Sequence, residues 1–167
     1  MKKFLRILAA FFLAVFSTSC LDSNLEDLEE FSGANIKSLN NVYYRYISDE
    51  FHEGTQDYKV KQVRIANGNW EVLKNDDETG EAEAQFDIQF SSSFEQFKGK
   101  LDMSKDIVVV VNIDQAAIIK PIEGSATLGA PGDWSKPNKY EVTAADGTKK
   151  IWTLKIDQIF NPHYVGL

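Results

Sequence analysis

The sequence predicts an all-β protein, a single antiparallel β-sandwich of about seven strands preceded by a signal peptide and a flexible tether. Three observations predict it. Period-two alternation replaces helical periodicity from about Ile36 onward, β-branched and aromatic residues are enriched there, and turn-forming residues recur between the alternating runs. The candidate strands are 36–47, 58–65, 70–74, 82–90, 106–113, 138–145 and 150–157. The clearest is 82–90, where Ala82, Ala84, Phe86, Ile88 and Phe90 fall on one face and Glu83, Gln85, Asp87 and Gln89 on the other. One face meets a core and the other meets water. At 167 residues, 43% apolar and 26% charged, the chain has room for one ordinary domain with a real core and not for two enzyme-sized domains.

In chain order, residues 1–19 come first and read as a secretory signal. Lys2, Lys3 and Arg6 form its positive region, and the uninterrupted apolar stretch Ile7–Phe16 is too short for a membrane span of about 20 helical residues. Ser17, Thr18 and Ser19 then lead to Cys20, the one cysteine. Small residues before a lone cysteine resemble a bacterial lipobox, in a relaxed form with Ser17 where Leu is commonest. The resemblance implies cleavage before Cys20 and lipid attachment to it, hence a membrane partner through the N-terminal lipid. Removing residues 1–19 takes away three positive charges and no acid, so the net charge moves from −7 to −10. Residues 20–34 read as an acidic tether: Asp22, Glu26, Asp27, Glu29 and Glu30 stand without a basic residue among them. The run resembles the export signal of Bacteroidota-type lipoproteins; an ordinary polar linker reads equally from the residues, and Leu21, Leu25 and Leu28 at helical spacing also allow a short amphipathic helix.

The domain proper spans 35–160, with 161–167 as a C-terminal tail. Asn67-Gly68-Asn69 separates two of its strands, Glu78-Thr79-Gly80 follows another, and Asp146-Gly147 forms a primed-type hairpin turn between the last two. A helical turn or two is predicted around Phe94–Lys98. Ile107-Val108-Val109-Val110-Val111 is apolar at both parities, so Val108 and Val110 need cover beyond the opposing sheet. The Phe94–Phe97 segment is the bland candidate for that cover, and a contact face for a partner protein is the sharper one.

Residues 105–156 carry a family resemblance. The pieces are Ile107 to Ile113, Ile122-Glu123-Gly124-Ser125-Ala126, Trp134-Ser135-Lys136-Pro137, Tyr140 to Thr148 and Lys150-Ile151-Trp152-Thr153-Leu154. Together they resemble the immunoglobulin-like β-sandwich domains of unknown function in Bacteroidota-type surface lipoproteins, which often precede carbohydrate-metabolism or glycan-binding domains. The resemblance implies an immunoglobulin-like sandwich and a cell outer-membrane, lipid-anchored, surface-exposed location. Each piece also has a structural reason: Pro137 opens a strand where no N–H is needed, and Tyr140, Val142 and Ala144 alternate inward against Trp152, Leu154 and Ile156. The chain ends at Leu167, so any activity that a second domain supplies in relatives is not carried over.

Chemistry-bearing constellations are sparse. A net charge of −7 with no basic stripe excludes nucleic acid as a partner. Only His52 and His163 are available as histidines, which excludes a multi-histidine metal site, and no metal or cofactor is expected. Asp76-Asp77-Glu78 offers oxygen ligands without the calcium-loop spacing and reads as a solvated turn. Paired carboxylates for glycoside hydrolysis need a cleft that a small sandwich rarely supplies. The chain is therefore expected to be no enzyme. Tyr43, Arg45, Trp70 and Trp134 lie near strand ends or loops as a candidate ligand-binding platform for sugar rings, the alternative being that the rings pack the core. Tyr44 and Tyr46 share a face with Val42 and belong to the core side. Two functions follow: a non-catalytic surface lipoprotein that binds glycan or serves a polysaccharide-utilisation system, or a structural adaptor lipoprotein that docks an outer-membrane protein through Val108 and Val110 or a sheet edge.

Overall fold

The computed structural model describes residues 31–90, 92–97 and 100–160. All of them belong to the second of the two units into which the chain divides, Phe31–Leu167. Cys20, the tether before Phe31 and the tail with His163 lie outside the described residues. Eight strands are present among those residues: β1 (Ile36–Phe51), β2 (Tyr58–Asp76), β3 (Glu81–Gln89), β4 (Ile107–Ile113), β5 (Ile118–Ile122), β6 (Pro131–Gly132), β7 (Asn138–Thr143) and β8 (Lys149–Phe160). A 3-10 turn, Ser92–Phe97, follows β3.

The strands run in the order β5-β7-β8-β3-β2-β1-β4-β6. Strand β2 belongs to both layers: its first half pairs with β1 as far as Val42↔Ile65, and its second half pairs with β3 from Ala66↔Gln89 onward. The ladder thereby folds over one core, and the predicted β-sandwich is the observed architecture. β3 and β8 pair in parallel and the other pairings are antiparallel. The sheet is therefore mixed, because β8 returns along β3 after a long excursion through β4 to β7.

The core follows from the alternation. Ala82, Ala84, Phe86 and Ile88 of β3 are buried, and Tyr140 and Val142 of β7 and Trp152 and Leu154 of β8 meet them from the same layer. Val42 and Tyr44 of β1 with Ile107 and Val109 of β4 close the core from the other layer. Fully burying a side chain of this size contributes about 1.5–3 kcal/mol. The Trp152 indole N–H donates to the Ala34 carbonyl at 3.0 Å, which seats the segment before β1 on the core. Asn138 is buried and satisfied: its Oδ1 accepts from Ala126 N at 2.8 Å, and its Nδ2 donates to the carbonyls of Asp133 and Lys136.

Three local expectations are corrected. Asn67-Gly68-Asn69 is not a turn between strands; β2 passes through it with a register shift between Asn67 and Trp70. A Cβ at Gly68 would lie 2.5 Å from Asp87 Cβ, so glycine is required there by close approach to β3 rather than by a reversal of the chain. Asp146-Gly147 is not a primed turn. Gly147 N donates to Ala144 O at 3.0 Å and Gly147 alone takes a positive φ of 90°, the arrangement of a type I turn followed by a left-handed residue. Asp146 accepts from Thr148 N at 2.8 Å and fixes the loop. Finally, the Phe94–Phe97 segment does not cover Val108. Phe97 packs on Tyr44 and Tyr46, ring centroids 5.2 and 4.8 Å away, on the inner face of β1, whereas Val108 lies laterally between Tyr43 of β1 and Pro131 of β6.

Candidate functional site

The aromatic residues singled out in the sequence fall into two separate groups. Trp134 is 2% exposed, set between Phe86 (centroids 5.9 Å) and Tyr140 (6.4 Å), so it packs the core. Trp70 stacks on Phe86 at 6.4 Å and is half-buried. Tyr43 and Arg45 lie instead on the outer face of β1, whose alternate residues Val42 and Tyr44 are buried. The four do not form one platform. Val108 is 1% exposed and presents no surface, while Val110 is half-buried.

What the structure does bring together is a ribbon. The β1–β4 ladder stops at Tyr44↔Ile107, with one further bond from Arg45 N to Asp106 O, and β2 meets β3 only from Ala66. Residues 46–51 and 58–64 therefore pair only with each other among the described residues. Alternation sets which side chains share the ribbon's outer face: Tyr43, Arg45, Ile47 and Phe51 on β1, and Tyr58, Val60, Gln62 and Arg64 on β2. Ile47 is directly opposite Val60, and Phe51 stacks on Tyr58 with centroids 4.5 Å apart. Ile47, Val60, Phe51 and Tyr58 are 71, 61, 49 and 52% exposed, respectively. Each cross-strand pair contributes about 0.2–1 kcal/mol to a ribbon that a third strand does not support.

The reverse face of the ribbon has a different chemistry. Glu50 is paired with Lys61 and, at 3.6 Å, with Lys59. The hydrogen bond and charge of the Lys61 ammonium hold the Glu50 carboxyl below the usual range. Ser48 is buried and donates to Lys59 O at 3.0 Å. At the tip, His52 N donates to Asp57 O and Thr55 N to His52 O, and Phe51, Thr55, Gln56 and Tyr58 line an open depression. The histidine supplies backbone to a turn.

Elsewhere, perturbed carboxylates are turn acceptors. Asp102 is pulled down to about 2 by the hydroxyl and N–H of Ser104, with Lys105 adding to it. Asp76 and Asp133 are lowered chiefly by Thr79 and Ser135. Asp76 caps its own turn through Glu78 N and Thr79 N, and Asp77 pairs with the buried ammonium of Lys150. Both aspartates of this turn are thus occupied, one by backbone donors and one by a lysine. Among the described residues, no three His, Cys, Asp or Glu side chains gather where they could hold a metal ion, and no helix is long and apolar enough to cross a membrane.

The ribbon's apolar face escapes a strand-by-strand reading of the sequence although a signal for it exists. Ile47 has the parity of Tyr43 and Arg45, and Tyr58 and Val60 have that of Gln62 and Arg64. Large apolar residues on the solvent parity of two paired strands are the mark of a surface that is covered by something else.

The fold and this surface define an all-β sandwich domain with an exposed ribbon. The chain belongs to the DUF5018-related family, whose model matches residues 36–155 and so takes in β1 to β3 as well as the C-terminal part that carries the resemblance. It is similar to the crystal structure of a candidate secreted protein from Bacteroides fragilis NCTC 9343, at 32% identity and a TM-score of 0.55, over 77% of this chain and 97% of that one. No curated protein matches.

Proposed function

We propose that this chain is a non-catalytic lipoprotein of the cell envelope, anchored through Cys20, that docks a partner protein by the outer face of the β1–β2 ribbon. The reading is carried by the exposure of Ile47, Val60, Phe51 and Tyr58 side by side on a ribbon that projects beyond the rest of its sheet. Aliphatic β-branched side chains at the centre of the patch suit protein contact, since they offer no flat face to a sugar ring and bury apolar area at roughly 25 cal/mol per Å². A location outside the cytoplasm is supported by the signal-like residues 1–19 and by the description of the Bacteroides fragilis neighbour as a candidate secreted protein. Glycan binding, as a surface module of a polysaccharide-utilisation system, is the second reading. Its support is the Phe51–Tyr58 pair, although each ring turns one face to the other.

The test compares the full chain with an Ile47→Ser, Val60→Ser variant as bait in envelope extracts, and screens both on a glycan array. Docking predicts a protein retained by the wild type and lost from the variant, with no array binding that depends on the ribbon. Array binding abolished by Tyr58→Ala, without a retained protein, would replace docking with the glycan reading.

A further inference from the structure

We infer that the segment docked on the ribbon is acidic as well as apolar, a stretch of a partner protein in which carboxylates flank apolar side chains. The inference rests on the docking reading and adds the chemistry of the occupant. Of the eight ladder residues on the outer face, two are charged, and both are arginines, Arg45 and Arg64. This runs against a chain whose net charge is −7. The arginines are not spent on the protein's own acids. Arg45 donates from Nε (3.1 Å) and Nη2 (2.8 Å) to the neutral Oε1 of Gln62, which leaves its charge uncompensated. Arg64 has no ion pair or hydrogen bond among the described residues. The one ribbon carboxylate held in a salt bridge, Glu50, is matched by Lys59 and Lys61 on the reverse face, and Asp49 lies in the irregular stretch of β1 between Ile47 and Phe51.

An apolar strip with an arginine on each strand at its inner end is complementary to apolar side chains beside carboxylates, because a guanidinium fork recognises carboxylate in a bidentate way. A second copy of this chain fits less well, since the same face of a partner copy has no carboxylate among its ladder residues to answer Arg45 and Arg64. Within the domain, Ile47 lies 11 residues along β1 from Ile36, up to about 36 Å at about 3.3 Å each, so the fold itself does not bring a bilayer reached through the N-terminus to the ribbon.

The test is a phage-displayed random dodecapeptide library panned on the detergent-solubilised full chain and counter-selected on the Ile47→Ser, Val60→Ser variant. An acidic, apolar occupant predicts surviving peptides that combine apolar residues with Asp or Glu, bind more weakly as salt rises, and lose about tenfold or more in affinity to Arg45→Gln, Arg64→Gln. Ribbon-dependent peptides without an acidic bias would overturn the acidic occupant and leave docking standing. Peptides that bind both baits equally, or no ribbon-dependent peptide at all, would overturn both. Binding of anionic vesicles (phosphatidylglycerol with phosphatidylcholine), or a concentration-dependent dimer, either one abolished by the serine variant, would assign the face to a membrane or to a second copy and overturn the inference. Circular dichroism checks the fold of each variant, and Arg64→Gln alone, an exposed single change, gives the charge readout if a double variant does not fold.

Discussion

Among single residues, Gly68 shows most directly how the fold depends on the sequence. The chain crosses there from one layer of the sandwich to the other, and a Cβ would lie 2.5 Å from that of Asp87. Gly68→Val is therefore expected to cost about 1–3 kcal/mol in stability, measured by chemical denaturation, since β2 or β3 must shift to admit it. Asn138 is the second such position. It satisfies Ala126 N and two loop carbonyls from within the core, so Asn138→Ala leaves buried backbone groups unpaired. A loss of about 2–4 kcal/mol is expected by the same measurement. Trp134 differs from both: its place before Ser135 and Pro137 already favours a core role over a surface one in the sequence, and its packing against Phe86 and Tyr140 bears that out.

Among the elements, the sandwich expresses two kinds of strand. Those with strict alternation, such as 82–90 and the 138–157 hairpin, are legible because apolar residues at one parity have a single physical reading. β5 is hidden because Pro121 argues against a strand, yet Pro121 is tolerated on an edge whose single neighbour is β7. β2 reads as two strands because Asn-Gly-Asn is also the chemistry of a turn, and sequence alone does not tell a bulge at a layer crossing from a reversal. The candidate site is legible only in part: Tyr43 and Arg45 stand on the ribbon's outer face, but the register that sets Ile47 against Val60 is a long-range fact. The ribbon's isolation predicts its dynamics. Backbone amides of 46–51 and 58–64 are expected to exchange hydrogen orders of magnitude faster than those of 82–88, which sit between two neighbouring strands. Equal protection of the two regions, measured by hydrogen exchange, would show that the ribbon is held by more than its own pairing.

For the molecule as a whole, acidity shapes stability. Among the described residues every carboxylate with a resolved shift, including Asp102, Asp133, Glu141 and Asp114, is lowered from its usual value. For Asp114 burial opposes the shift, and hydrogen bonds from Lys37 and Asn35 with the Lys37 charge outweigh it. A lowered folded-state pKa means stability that is present above the unfolded pKa of about 4 and is lost as pH falls through the folded value. The thermal midpoint is thus expected to be flat from pH 7 to about 5 and to fall between about pH 4 and the Asp102 value of about 2, as followed by circular dichroism. The proposed anchoring is a separate property of the N-terminus, so Cys20→Ala is expected to leave this melting profile unchanged and to move the protein from the membrane to the soluble fraction. Retention of that variant in the membrane would remove the lipid anchor from the proposal.

The proposed docking role of the ribbon is tested most directly by a photo-crosslinking amino acid placed at Ile47 or Val60 in the full chain, in living cells, with Ile118 of β5, 61% exposed, as control. Docking predicts a discrete protein adduct from positions 47 and 60, none from 118, and loss of the adduct when Arg45 and Arg64 are replaced by glutamine. Adducts of equal yield from all three positions, or none from the ribbon, would refute it.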